Sequence, residues 1–317
     1  MTKWLSLLYL AGLLAVFGLH RVYGDQAWPT TILLFGPRWA WACPLLILVP
    51  LGLIYDRRSL VVQAASLGVV LMPIMGLELA WPSLGTEADG PRLRVITLNT
   101  GTIAPSKRAF LGLIERFEPD VVALQECAED KVAPLFAGWN FLSDRGLCVA
   151  SKHPLRQKGA ARRIIFGRES RAIHYEVEVS GRPVQLVNLH LSTPREGLEA
   201  MIAHRWNGLG AMRQAIARRE RESRSIGEWI RGLPSPLVVV GDFNMTSDGT
   251  LYRRDWSHLV NAFTEVGWGF GYSKFTRWFG IRIDHVLMDR GFSPKACRVG
   301  LDLGSDHRPV LAELAIN

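Results

Sequence analysis

Residues 237–244 read LVVVGDFN, and the reading of the whole chain grows from this octapeptide. A short apolar run rich in valine, followed by Gly and two small polar side chains, is how a buried strand runs out into a turn. Asp242 and Asn244 therefore stand at a strand end, where a rigid element can hold a side chain better than a free loop would. The same arrangement recurs along the chain. Asn99 follows LRVITL, Glu126 follows DVVALQ, His190 lies in LVNLHLS, Asp284 in RIDHVL, and Asp306 and His307 in GSDHRP.

Between these points the pattern predicts strands at Leu93–Leu98, Val121–Leu124, Leu147–Ser151, Ala172–Val179, Val184–Leu189, Leu237–Val240, Ile283–Met288 and Pro309–Leu314. Phe110, Leu111, Ile114 and Phe117 share one face of a helix that Ser106 is placed to cap. A longer helix is expected from Leu209 to Arg231, with Met212, Ile216, Ile226 and Ile230 on its apolar side. Periodicity alone thus implies an α/β fold with a mixed sheet.

The first third differs in kind. Trp4–Leu19, Trp39–Tyr55 and Leu60–Trp81 are apolar runs of 16, 17 and 22 residues, the last interrupted by Gln63, Pro73 and Glu78. A membrane-spanning helix needs about 20 such residues. The third run is long enough, the second adequate and the first short, and Trp28–Phe35 is too short to cross by itself. The expectation is an uncleaved anchor of about three transmembrane helices at 1–82, a Gly/Pro-containing polar linker at 83–91, and a catalytic domain at 92–317. A signal peptide fits the first run less well, because no small-residue cleavage site follows and two further apolar runs do. Lys3 and Asp56-Arg57-Arg58 mark the cytoplasmic ends by charge bias, which puts the domain on the non-cytoplasmic side, although Arg21 and Arg38 weaken that bias.

Residues 1–91 carry five charges of each sign, so the net +8 of the chain lies on 92–317, mostly as Arg. Such a surface suits polyanions, or simply keeps a domain in solution. Cys43, Cys127, Cys148 and Cys297 have no paired metal-ligand spacing. The last three are expected as small buried thiols, with one disulfide among them left open.

Each polar strand end has an ordinary explanation when taken singly. Gly-Asp-x-Asn is good turn chemistry, Glu126 could be a solvated strand end, His190 a satisfied core histidine, and Asp284 a structural partner of His285. Those explanations must all hold at once. Together the residues offer hard oxygen ligands without cysteine, which favours Mg2+, Mn2+ or Ca2+ over structural zinc, with Mg2+ or Mn2+ expected.

In order, RVITLNT, DVVALQE, VNLHL, VVVGDFN, RIDHVL and GSDHRPV resemble the endonuclease/exonuclease/phosphatase superfamily over about Arg94–Leu314. The resemblance implies a four-layer α/β sandwich, two mixed sheets face to face with helices outside. It implies a metal-binding Glu126 with Asn99 beside it, and Asp306 as a second acid near the metal. Asp242 corresponds to the water-activating aspartate, Asn244 to its amide partner, His307 to the catalytic histidine and Asp284 to its carboxylate. His190 corresponds to a histidine that acts on the phosphate or the leaving group in many members, and Arg171 is a looser match to a phosphate-binding arginine. Leu98 and Gly101 depart from common family residues, an aromatic and an acid respectively.

The implied activity is metal-dependent hydrolysis of a phosphate ester, by in-line attack of water. The substrate is a nucleic acid or a lipid head group, the bilayer is met through the N-terminal helices, and no protein partner is expected. The rival is a non-catalytic membrane scaffold that keeps the fold. The aromatic stretch Trp256–Trp278 could stack on bases, dip into an interface, or pack as core.

Overall fold

The computed structural model describes residues 1–80, 90–101, 106–165 and 168–317, with the backbone alone at 162–165 and 168–171. The expected linker at 83–91 lies almost wholly outside the described residues.

The N-terminal third is helical: α1 (Thr2–Val22), α2 (Trp28–Phe35), α3 (Leu45–Tyr55) and α4 (Ser59–Val69), with a π turn at Val70–Ile74 after α4. Two stretches, Thr2–Val22 and Arg38–Tyr55, are long and apolar enough to cross a membrane. The ranking expected from run length is reversed. The first run extends at both ends to 21 residues, about 31 Å. The third stops at Ile74, where Pro73 inside the final turn removes a backbone donor. These helices are inside-out. Ser6, Ser59, Gln63 and Ser66 are buried between them, whereas Leu8, Leu46, Ile54 and Val61 are each more than two-thirds exposed. Gln63 Nε2 donates to Leu48 O (2.8 Å) and Ser6 Oγ (3.0 Å), tying three helices together from within.

Twelve strands then build two six-stranded sheets. In chain order they are β1 (Arg92–Asn99), β2 (Val121–Gln125), β3 (Asn140–Asp144), β4 (Leu147–Ser151), β5 (Leu155–Ile165), β6 (Arg168–Val179), β7 (Arg182–His190), β8 (Leu237–Asp242), β9 (Val260–Asn261), β10 (Asp284–Met288), β11 (Phe292–Val299) and β12 (Val310–Ile316). The first sheet runs β11-β12-β1-β2-β4-β3 and the second β9-β10-β8-β7-β6-β5. Only β1/β2 and β7/β8 pair parallel, so both sheets are mixed. Helix α5 (Lys107–Phe117) covers the first sheet; α7 (Leu209–Arg231) covers the second, with α6 (Arg195–His204) packed on α7. The expected four-layer sandwich is the fold observed. Ser106 does occupy the N-cap of α5, although its side chain makes no capping bond.

Alternation decides which residues meet. Val238 and Val240 of β8 face the inter-sheet core with Val286 and Met288 of β10, Val184 and Leu186 of β7, Leu93 and Val95 of β1, and Val121 and Ala123 of β2. Successive strand side chains change face, so two or four residues further along each strand the same inner row reaches Asp242, Asp284, Asn188, His190, Asn99 and Gln125. The apolar core therefore gives way to a polar floor near one rim. Gln125 Nε2 donates to Asn188 Oδ1 (2.7 Å) and Thr97 Oγ1 (3.1 Å), and Asn188 Nδ2 to the carbonyls of Leu124 and Cys148 (both 3.1 Å). These bonds join the two sheets directly beneath the site.

Cys127 and Cys148 form a disulfide, Cα–Cα 6.0 Å. This corrects the expectation of three buried thiols: only Cys297 is one, and Cys43 is exposed. The aromatic stretch divides by position. Trp256 is core, edge-on to Phe243 at 4.9 Å, whereas Trp268 and Trp278 stand exposed.

Candidate active site

Six side chains converge at the rim. Asn99 ends β1, Glu126 directly follows β2 and His307 lies in the loop before β12, while His190, Asp242 and Asp284 come from strands of the second sheet. Register aligns the second set in one row, with Asp284 opposite Asp242 and Asp242 opposite His190. Gly241 makes this possible. Its φ is +138°, and a Cβ there would lie 2.0 Å from Leu189 O, so only glycine lets β7 and β8 close up beside Asp242. Glu126 (φ 51°) and Asn244 (φ 49°) both take the left-handed conformation just past their strands. Non-glycine residues accept that strain where surrounding bonds over-determine them.

Asp242 is the hub. Its Oδ1 accepts the Asn244 backbone N–H (2.8 Å), and its Oδ2 accepts Asn99 Nδ2 (3.0 Å). His307 Nε2 lies 3.7 Å and His190 Nε2 3.8 Å from the same Oδ2. His307 Nδ1 is bonded to Asp284 Oδ2 at 2.9 Å. Burial raises the Asp242 pKa, with the Asp284 charge adding to it, against the lowering influence of His307, His190 and Asn99. Burial works to lower the His307 pKa, but the charges of Asp284 and then Asp242, with the Asp284 bond, overcome it and hold the imidazole up at about 9. The Asp242, Asp284 and His307 ligand atoms all lie within 4.8 Å of one another. The proton on His307 already neutralises part of this cluster.

Glu126 is different, because it opens onto the cleft, with one oxygen taken by Asn99 Nδ2 (3.0 Å) and His190 Nε2 3.8 Å away. A solvent-facing carboxylate of this kind, with other acids nearby and no sulfur, fits a hard divalent cation. Asn99 does not present an oxygen to that position. Its Oδ1 accepts the Gly101 N–H (2.9 Å) and its amide nitrogen points at the two carboxylates, an orientation whose reverse would set oxygen against both. In this structure the Asn99 amide holds Glu126 and Asp242 in position. Asp306 lines the same mouth, where Lys274 pairs with it and Arg195 Nη2 lies 3.8 Å away. Burial would raise the Asp306 pKa, but the bond and charge of Lys274, helped by His307 and Arg195, bring it below the usual carboxylate range. Asn244 Nδ2 donates to Leu191 O (2.8 Å), so its side chain fixes the turn. The Arg171 backbone pairs with His190, and its side chain lies outside the described residues.

Sequence reading missed several parts. Arg195 and Lys274 sit at a helix start and in a two-residue strand, with no apolar run to flag them. Cys127 follows Glu126 directly, so the disulfide braces the turn that carries this carboxylate. Most distant is Asp25, in the turn between α1 and α2. It pairs at 3.2 Å with Arg219 of α7, and both side chains are fully buried. The same Arg219 Nη2 donates to Asn244 O at 2.8 Å. The N-terminal segment is thereby wired to the turn that follows Asp242.

The fold and this two-sheet site define a phosphoesterase-type α/β sandwich. The endonuclease/exonuclease/phosphatase family model matches residues 96–307, and the chain belongs to that family. The fold is similar to an endonuclease/exonuclease/phosphatase from Beutenbergia cavernae (19% identity, 72% of each chain, TM-score 0.54). It is also similar to humanized D. rerio TDP2 (18% identity, 70% of this chain and 98% of that one, TM-score 0.54). A Bacteroides thetaiotaomicron mannosyl-6-phosphatase is a further likeness (15% identity, 71% and 100%, TM-score 0.52). Among curated proteins, none matches the sequence.

Proposed function

We propose that this chain is a membrane-anchored, divalent-metal-dependent phosphodiesterase. The observation that carries the chemistry is the Asp284–His307–Asp242 line, with His307 bonded at 2.9 Å on one side and standing 3.7 Å from Asp242 on the other. Asp242 takes a proton from the attacking water, a role for which its raised pKa suits it. His307, kept protonated by its two carboxylates, donates to a phosphoryl oxygen, and Asp284 sets its tautomer. His190 faces the same point from the opposite strand. Asn99 and Asn244 hold the carboxylate and the turn in place. A cation bound at Glu126, with Asp306 near, would neutralise charge gathering on the phosphoryl oxygens. The departing oxygen takes its proton from solvent in the open cleft, and no residue is required as a covalent nucleophile.

The anchor reading is supported by the inside-out helices. Buried Ser6 and Gln63 with exposed Leu8 and Leu46 suit helices whose solvent is hydrocarbon. Asp25, Arg38 and Glu78, which reach the catalytic domain, sit at the opposite end of the bundle from Lys3 and the 56–58 turn. That placement and the Cys127–Cys148 disulfide support a domain on the non-cytoplasmic side, where thiols oxidise.

The test uses the full chain in detergent micelles with bis(4-nitrophenyl) phosphate and Mg2+ or Mn2+. Turnover that chelation abolishes is expected, and Asp242→Asn should lower kcat by about 100- to 10,000-fold. Failure to cleave this ester, DNA and phospholipid alike would leave the non-catalytic scaffold as the better reading.

A further inference from the structure

The cleft above the site has a volume of about 610 Å³, and its walls differ sharply. Its floor is Glu126, His190, Asp242, Asn244 and His307. One flank carries Arg195 and Lys274. The apolar lining comes chiefly from two sources: Ile32 and Phe35 of α2, in the N-terminal segment, and Leu198, Met201 and Ile202 of α6. Ile202 is 82% exposed, which is unusual for an isoleucine beside a catalytic cleft unless something apolar covers it. Phe35 is held firmly, with the Arg219 guanidinium 5.1 Å from its ring centroid. Trp206, just past α6, stands edge-on to Trp28 at the start of α2, centroids 5.7 Å apart, and joins the two parts of the wall.

We propose that the substrate is a phosphate ester of a membrane lipid, whose apolar portion lies against this wall while its phosphate rests on the polar floor. The inference rests on the phosphoesterase reading and names the substrate class for the same site. Three observations favour a lipid over a nucleic acid. The lining is mostly aliphatic, with Ile32, Leu198, Met201, Ile202, Ile281 and Ile283 outnumbering Phe35 and Phe279, where base stacking relies on aromatic or guanidinium planes. Lys274 is neutralised by Asp306, so the flank holds one phosphate rather than tracking a polyanion. The wall is also continuous with the segment whose apolar side chains already face outward. Exposed Trp39, whose Nε1 donates to Trp278 O (3.2 Å), sits with Trp278 at the junction, where amphipathic rings settle at a membrane surface. Hydrolysis forms a bond from water oxygen to phosphorus and breaks one ester P–O bond. Asp242 receives the water proton, and the departing oxygen leaves as an alcohol.

The test reconstitutes the full chain with vesicles of phosphatidylcholine, phosphatidylglycerol, sphingomyelin or phosphatidic acid. It compares their turnover with that of a single-stranded oligonucleotide and of bis(4-nitrophenyl) phosphate. At least one lipid should be hydrolysed faster than the oligonucleotide. Ile202→Asn and Phe35→Ala should each lower the ratio of lipid to soluble-ester kcat/KM by about tenfold, the scale of one lost apolar side chain. Ile202→Asn alters an exposed position, so it reports even if Phe35→Ala folds poorly. Cleavage of the soluble ester with no lipid turned over, or a preference for the oligonucleotide, overturns the inference and leaves the phosphoesterase intact. Loss of all three activities removes the phosphoesterase reading itself.

Discussion

Replacing Asp25 with Ala tests how far the N-terminal segment is part of the enzyme. Arg219 is fully buried, and burial is the first influence lowering its pKa, opposed mainly by Asp25. Its Nε and Nη1 are buried without hydrogen-bond partners among the described residues, and Glu222 is the other carboxylate that offsets its charge. Asp25→Ala removes the ion pair at 3.2 Å and two further bonds, from Thr250 Oγ1 (2.9 Å) and the Leu251 N–H (3.0 Å). Leaving one member of a buried pair unpartnered costs about 3–5 kcal/mol, a large share of the roughly 5–15 kcal/mol that holds a domain folded. Urea unfolding of the full chain in micelles, followed by the fluorescence of buried Trp256, measures that loss. Because Arg219 also donates to Asn244 O, kcat should fall alongside stability. Adding Arg219→Met replaces the orphaned charge with apolar volume, so stability should return while activity does not. A stability loss under about 1 kcal/mol with an unaltered kcat would refute the coupling.

Other outcomes follow from the same geometry. His307 is raised to about 9, so activity needing its proton holds below that pH and is lost above it. Asp284→Asn removes the chief upward influence, and the alkaline limb of the pH–rate profile should move down; an unmoved limb would count against the assignment. Glu222, pushed up to about 7 by burial against an ordinary 4.5, binds its proton more tightly folded than unfolded. Its contribution to stability is present below 4.5 and lost as pH rises to 7, about 3 kcal/mol in all, and Glu222→Gln should flatten that slope in denaturation curves. Cys148→Ser opens a loop of 21 residues, which should cost about 3 kcal/mol and raise the metal concentration needed for half-maximal activity, because Cys127 adjoins Glu126. Equal metal titrations for the variant and the parent would show that the brace does not reach Glu126.

The strands that periodicity found are those with neighbours on both sides, such as β1, β2, β7 and β8. Those of the two sheets that it missed, β3, β5, β9 and β11, are the four sheet edges. An edge strand buries less and carries charge or proline against further pairing, as LRQKGAARRII and FSPKACRV do, so its alternation is blurred. The motif residues were legible because a strand end places a polar group next to an apolar run, a contrast visible in a dozen residues. Arg195, Lys274 and the Cys127–Cys148 pairing have no such local contrast, and their meaning depends on which elements fold beside them.

The octapeptide at 237–244 and its companions were enough by themselves to determine the family and the mixed-sheet class, and to point to the carboxylates and imidazoles that gather at one rim. Strand alternation alone dictates which of those side chains point inward. Tertiary structure decided everything that relies on contacts between distant segments. It set the Asn99 amide between Glu126 and Asp242, and it paired Asp25 with Arg219 across 194 residues. It also lined the cleft with Ile32 and Phe35 from the N-terminal helices. Local pattern records what a residue is suited to; only packing of the two sheets against each other and the N-terminal helices determines what it meets.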